Sequence, residues 1–461
     1  MTIISNIDEN KTSNDENIEN FQYDKRFFSF ETNETTGKVT INYDHVGHAT
    51  SIIQEFLLVR NAYGFYYYDQ LTGLWKEDGA NFIRSLITKR QGIHSNEHRV
   101  RQCYTNIFNR IYKNSKERMN FDTDPYLINM ENGVVNLKTG ELLPFNPYYL
   151  QRIKVPHNYV PGAKCPKIKQ FLIDVVGEAQ AKFLIEWIGY GLIKNYPMRK
   201  ILILLGKGKN GKSIYIQLLN LLMGRENVSN VSLHDLQTHK FALAELDGKL
   251  VNTCADIDSS FFNSLDRIKG LTGGDSQMAE RKNGHPFSFV NHAKLTFSCN
   301  SLPTFKERTF AIKDRFIVLP FDNTFSGDKK NDNLLAEIST KEELEGLVFM
   351  AIQAITAVLE KGEFSITPKM ELATQSWFDE MDNVKLFINE ACTLEADNYV
   401  IKGELYDNYK LYCSEAEYSP LGKINFFKHL VESFPFIYTH EGKDPISRKS
   451  VVYYKHIGLK K

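Results

Sequence analysis

One eight-residue stretch constrains this 461-residue chain more than any other: Gly206-Lys207-Gly208-Lys209-Asn210-Gly211-Lys212-Ser213, a G-x-x-x-x-G-K-[ST] pattern. It follows KILILL at 200–205, a continuous apolar run of the kind that forms a fully buried strand. It precedes SIYIQLLNLLM at 213–223, which has helical periodicity. Strand, glycine loop and helix in this order make a phosphate cradle. Glycines let backbone N–H groups turn inward on phosphates, and the helix N-terminus adds partial positive charge. Gly206 to Ser213 would then hold ATP, with Lys212 neutralising the β- and γ-phosphates and the Ser213 hydroxyl ligating Mg²⁺. Strand-like and helix-like segments alternate from 200 to about 320, which predicts an α/β fold around a parallel sheet.

A phosphate loop alone does not separate a kinase from a motor. Downstream, LVNTCADID at 250–258 reads as a strand ending in Asp256 and Asp258, two residues apart and so on one side while the chain stays extended. One carboxylate would hold Mg²⁺, a role given to Asp256, and the other would polarise the attacking water. Forty-three residues lie between Lys212 and Asp256, room for a helix and a neighbouring strand. A third strand, KLTFSCN at 294–300, ends in Asn300, at the carboxyl edge where open α/β sheets bind ligands. An Asp at a strand end or an Asn before Ser-Leu-Pro is also an ordinary turn former, so the three motifs carry weight as a set.

Charge organises the rest. The 56 Lys+Arg balance 56 Asp+Glu, which excludes a polycation, and 42% hydrophobic residues exclude a wholly disordered chain. The balance conceals unlike segments. Residues 1–20 hold five acids against one base and predict a disordered acidic tail. Residues 81–118 hold nine bases against two acids, either a solvated helix surface or a phosphate-contacting face. Residues 419–461 hold eight bases against three acids. The six cysteines are scattered singly with no CxxC pair, so free thiols and no metal cluster are expected. A polar, acidic, Asn-rich start and the lack of an apolar run of about 18 residues predict a cytoplasmic protein with no membrane partner.

Local patterns suggest an organisation. A mixed α+β accessory domain is expected over 21–160, with aromatic strand-like residues at 63–75, helices through NFIRSLITKR and VRQCYTNIFNRIYK, and a β-hairpin around Asn132-Gly133 and Thr139-Gly140. Two helices, KIKQFLIDVVG and AQAKFLIEWIGYGLI, divide near Gly177 and open a helical collar plus ATPase domain over 161–365. A further domain is expected over 366–461.

In order along the chain, GKGKNGKS, LVNTCADID, GLTGGDSQMAERKNGHPFSF, KLTFSCNSLP and KDRFIVLPFD resemble the superfamily 3 helicases, specifically the phage/plasmid primase-helicase branch with its poxvirus relatives. FDTDPYLINMENGVVNLKTGELLPF and IKGELYDNYKLYCSEAEYSPLGKINFFKHL extend the resemblance over about 118–461. It implies an AAA+ ATPase ring, usually a hexamer, that acts on single- and double-stranded DNA and opens a replication origin of a mobile genetic element, moving 3′→5′. Gly206, Gly211, Lys212 and Ser213 match the family's phosphate loop, Asp256 with Asp258 its acidic motif, and Asn300 its γ-phosphate sensor. Many members carry Glu at the first acidic position, so which Asp polarises water stays open. Arg315 sits where the family places an arginine finger that reaches a neighbouring subunit's nucleotide, and Arg308 is the local competitor. Asn283-Gly284 is a strong hairpin signal bracketed by Lys282 and His285, and it looks like the family's DNA-tracking hairpin. Lys282 is favoured because it is charged at any physiological pH.

At the carboxy-terminal end, a helix in INFFKHLVESF followed by two strands around a basic loop is a winged-helix pattern, with DNA contacts from Lys423, Lys428, Arg448 and Lys449. A positively charged packing module is the alternative. About 120 residues precede the resemblance with no zinc-ligand spacing, so no primer synthesis is expected. Two rival functions stand beside the helicase: a P-loop kinase acting on a small molecule, and a non-motor DNA-binding regulator with a relict ATPase fold.

Overall fold

The computed structural model describes residues 23–460 apart from 62–63, 113–120, 256–260, 263–264, 306–309, 327–330, 417, 419 and 444–449. The acidic tail therefore lies outside the described residues. The chain divides into two compact units, one of residues 1–123 with 144–153, the other of 124–143 with 154–461.

In the first unit, β1 (Phe28–Thr32) and β2 (Val39–Tyr43) pair antiparallel, α1 (His45–Glu55) follows, and β3 (Leu58–Arg60), β4 (Phe65–Asp69) and β5 (Leu74–Lys76) form an antiparallel sheet. Then come α2 (Gly79–Gln91) and α3 (Glu97–Arg110). Helix starts are set by side-chain caps: the Asp44 carboxylate accepts from Gly47 N and the Asn96 amide oxygen from Arg99 N. Ile52, Ile83, Ile87, Cys103 and Ile107 close a core between the three helices. The basic run is partly absorbed inside this unit. Arg84 lies 4.1 Å from the Tyr104 ring, Arg90 pairs with Glu55 at 2.5 Å, and Arg99 donates to the His94 carbonyl at 2.7 Å. Lys113, Lys116 and Arg118 lie outside the described residues.

The second unit opens with β6 (Leu127–Met130), β7 (Gly133–Asn136) and β8 (Glu141–Leu143), a three-stranded meander rather than a lone hairpin. It belongs with this unit because its loops are bonded there: the Leu137 carbonyl accepts from Thr356 Oγ1 and the Gly140 carbonyl from the Tyr159 hydroxyl, both at 2.8 Å. Helices α4 (Pro166–Val176) and α5 (Glu178–Gly191) break at Gly177, whose φ of 87° favours glycine. The α/β elements follow: β9 (Ile201–Leu205), α6 (Lys212–Met223), β10 (Val228–Ser229), α7 (Leu233–Thr238), β11 (Val251–Cys254), β12 (Phe261–Phe262), α8 (Asp266–Gly273), β13 (Ser276–Ala279), β14 (Phe287–Val290), β15 (Lys294–Cys299), β16 (Thr304–Phe305), α9 (Phe310–Lys313) and β17 (Phe316–Pro320). Five of these strands make a parallel sheet in the order β10-β11-β15-β9-β17. Helices cover it, so β9 and β15 are buried along nearly their whole length.

Three helices follow, α10 (Leu334–Ile338), α11 (Lys341–Lys361) and α12 (Pro368–Glu380). α12 belongs to the sheet: Thr374 Oγ1 accepts from Val318 N at 3.0 Å, and Trp377 Nε1 donates to the Pro303 carbonyl at 2.8 Å. Trp377 and Phe378 sit in the sheet's core. The next core begins only at Val384, later than a boundary near 366. It is built from α13 (Asn383–Ala391), β18 (Cys392–Thr393), β19 (Tyr399–Ile401), α14 (Lys402–Glu415), α15 (Lys423–Ser433), β20 (Tyr438–Lys443), β21 (Ser450–Lys455) and β22 (Gly458–Leu459). The antiparallel order is β19-β21-β20, and β18 pairs with β22. Among the described residues no helix is long and apolar enough to cross a membrane, and all six cysteines are free.

Candidate nucleotide-binding site

The loop after β9 lies at the carboxyl edge of the sheet. Register fixes its neighbours: Leu205 pairs with Cys299 on one side and with Pro320 on the other. Gly206 N donates to the Cys299 carbonyl at 3.2 Å, and Phe321 N donates to the Leu205 carbonyl at 2.7 Å. The loop is then pinned from the β17 side, where Asn210 Nδ2 donates to the Phe321 carbonyl (3.1 Å) and Phe325 N donates to the Lys209 carbonyl (2.7 Å). Gly208, Lys209 and Gly211 have φ of 95°, 50° and 90°, a backbone that turns consecutive N–H groups inward. A Cβ on Gly206 would stand 2.2 Å from Asn210 Nδ2 and 2.6 Å from the Phe321 carbonyl oxygen, and one on Gly211 would stand 2.5 Å from Val175 Cγ1. Side chains there would collide with the residues packed against the loop.

Lys212 is the first residue of α6 and only 4% exposed. Its Nζ donates to the Gly206 carbonyl and to Asn210 Oδ1 (3.4 Å), so the ammonium points into the loop that its own helix caps. Lys207, Lys209 and Ser213 are exposed around it. Inward N–H groups, a buried ammonium and a hydroxyl in the first helical turn fit a polyphosphate with Mg²⁺.

The acid-bearing strand is not the neighbour that chain spacing suggested. β15 lies between β9 and β11, so the phosphate-loop strand is flanked by the Asn300 strand instead. A separation in residues cannot report a third strand inserted from further along the chain. Asp256 and Asp258 lie outside the described residues, and β11 ends at Cys254, level with Phe297. Asn300 is exposed one residue past the end of β15. Asn252, which the sequence pattern did not single out, locks the far side of the sheet. Its Oδ1 accepts from Ser229 Oγ and Val231 N, and its Nδ2 donates to the Val231 carbonyl, all at 2.9 Å. A fully buried amide inside an apolar run was the available signal.

Arg315 lies at the opposite, amino edge. Its carbonyl accepts from Ile201 N at 2.6 Å, and its guanidinium donates to Thr272 Oγ1 (3.1 Å) and to the Ala311 carbonyl. The five residues of β9, about 16 Å of strand, separate it from the loop after Leu205. Arg315 is thus not brought to the phosphate loop of its own chain. Arg308 lies outside the described residues.

Also at the amino edge is Lys294, which no motif flagged. It is fully buried, and Nζ donates to the Ile193 carbonyl (2.6 Å) and the His292 carbonyl (2.7 Å) beneath the rings of Tyr190 (4.7 Å) and Tyr196 (5.2 Å). Burial pushes its ammonium well below the usual lysine range.

β13 and β14 form the antiparallel hairpin that Asn283-Gly284 predicted, with Asn283 at φ 62° and Gly284 N donating to the Arg281 carbonyl at 2.8 Å. Lys282 and His285 are both exposed. Lys423 and Lys428 are exposed on α15, while Arg448 and Lys449 lie outside the described residues.

Three families match parts of the chain: "D5 N terminal like" over 49–177, a "family of unknown function (DUF5906)" over 204–315, and "Poxvirus D5 protein-like" over 379–456. A helicase-named protein of Acanthamoeba polyphaga mimivirus, L207/L206, is 24% identical over 253 residues, which are 52% of this chain and 26% of the viral protein. Over 49–177 and 379–456 the chain is similar to D5-like proteins, the poxvirus D5 protein among them. It spans about a quarter of the mimivirus protein's length. It is also similar to the A form apo structure of the NrS-1 C terminal region, at 13% identity and a TM-score of 0.47, covering 89% of this chain and 98% of that one. A second apo structure, of residues 305–718 of NrS-1, gives 12% identity and a TM-score of 0.48 over 90% and 99%.

Proposed function

We propose that this chain is an ATP-driven DNA helicase of superfamily 3 that works as an AAA+ ring, hexameric in the family it resembles, and opens a replication origin. The observation that carries the reading is the disposition of charge across one sheet: phosphate loop and Asn300 at the carboxyl edge, Arg315 at the amino edge. An arginine so placed can serve a nucleotide only on an adjacent copy, which makes hydrolysis depend on assembly. A small-molecule kinase would supply its cations within one chain. The carboxy-terminal order α13, β19, α14, α15, β20, β21 with sheet order β19-β21-β20 supports a winged helix that docks on duplex DNA.

In this reading each residue has a distinct part. Lys212 would exchange the Gly206 carbonyl and Asn210 Oδ1 for phosphate oxygens. Ser213 and Asp256 would hold Mg²⁺, which when bound neutralises phosphate charge, and Asp258 or Asp256 would orient water. Asn300 would contact the γ-phosphate, and Lys282, seconded by His285, would grip a strand in the ring channel.

Strand displacement on a forked duplex tests this. Arg315→Ala should keep nucleotide binding and lose ATP turnover by about 10³-fold or more, and Lys282→Ala should hydrolyse ATP yet displace little strand. Monomeric turnover indifferent to DNA would favour the kinase. Origin-dependent replication unaffected by Lys212→Ala would favour the non-motor regulator.

A further inference from the structure

α15 carries apolar residues outside its buried face as well as on it. Phe426, Phe427 and Leu430 are buried, with the Phe426 ring stacked on Tyr409 at 4.3 Å and the Phe427 ring on Tyr454 at 5.1 Å. That face completes the module's core. Outside it, Ile424 is 85% exposed and Val431 40% exposed, with Lys428 one turn along from Ile424. Asn425 stands exposed beside Ile424, and its carboxamide makes no hydrogen bond among the described residues. Neither side chain contributes to packing or to a cap, so the fold gives no reason for a β-branched residue and an amide there. The charges around them are sparse: Lys423 and Lys428, with Glu432 the helix's one acid, 3.9 Å from Lys428 at the far end.

A helix that met DNA through phosphates alone would present more bases than these two. A recognition helix presents its N-terminal residues to base edges. In the major groove an Asn carboxamide matches the N6 and N7 positions of adenine, and an apolar side chain matches the thymine methyl. We propose that Asn425 and Ile424 make this module specific for a duplex site with A·T pairs at its centre, Asn425 bonding adenine and Ile424 packing on a thymine methyl, while Lys423 and Lys428 hold the flanking phosphates. The inference rests on the winged-helix reading given above and names the residues that select its DNA.

The test uses the full chain. Duplexes selected by the wild type from a random library are rebuilt with 7-deazaadenine, which lacks N7, or with uracil, which lacks the thymine methyl. Wild type should lose about tenfold in affinity on the adenine change and about threefold on the uracil change. Asn425→Ala should bind more weakly and become insensitive to 7-deazaadenine while still sensing uracil, and Ile424→Ala should do the reverse. Because both residues are exposed, melting temperatures should not move. Selected sites without a shared A·T pair, or variants that keep both wild-type sensitivities, overturn the assignment of these residues and leave the winged helix standing. A protein with no affinity for any duplex overturns both.

Discussion

Lys212 and Lys294 are buried lysines flanking one parallel sheet, and both donate to main-chain carbonyls, yet they are enclosed in opposite ways. Lys294 is shut in by two tyrosine rings and bonded to two carbonyls at 2.6 and 2.7 Å. Its ammonium has no second position to adopt. Lys212 is covered by a loop of glycines at positive φ, with exposed Lys207, Gly208 and Lys209 forming the wall. Behind one layer of backbone, its ammonium can change partners when an anion arrives. Burying a charge is compatible with binding where the wall is glycine backbone, and with rigidity alone where the wall is aromatic.

The largest effect should come from Lys212→Ala, which removes the cation inside the cradle and should lower ATP turnover by at least about 100-fold with the melting temperature nearly unchanged. Turnover within tenfold of wild type would break the distinction between the two lysines. Gly211→Ala attacks the wall instead. A Cβ at φ 90° that meets Val175 should cost about 1–3 kcal/mol by chemical denaturation and weaken nucleotide binding as well. The effect smallest per step, read for each unit of pH, concerns Lys294→Met. Because burial holds the folded-state value below the unfolded one, the unfolded chain binds the extra proton between them, and stability rises with pH in that window. Wild type should therefore gain on the variant as pH rises toward the ordinary lysine value, by at most about 1.4 kcal/mol per pH unit, and parallel melting curves would show the buried ammonium still charged.

Much of this was legible in local residue patterns. The phosphate loop, the break at Gly177 and the Asn283-Gly284 hairpin are each fixed by residues within a few positions of one another, through backbone angles that few side chains allow. What escaped depends on distant partners. That β15 stands between β9 and β11 is decided by hydrogen bonds between strands some 40 and 90 residues from one another, and that Trp377 joins the sheet's core is decided by the Pro303 carbonyl. Lys294 escaped for a related reason: a lysine opening a strand reads as its solvated end, and only the tyrosines above it reveal otherwise.

β15 has a last consequence. Its amino end is anchored at Lys294, and four residues earlier the chain leaves the hairpin strand β14 at Val290. Its carboxyl end leads to Asn300. Six strand residues, about 20 Å of stiff rod, thus join Asn300 to the root of the hairpin. A displacement of that rod along its axis would reach the hairpin root through the three residues 291–293 alone.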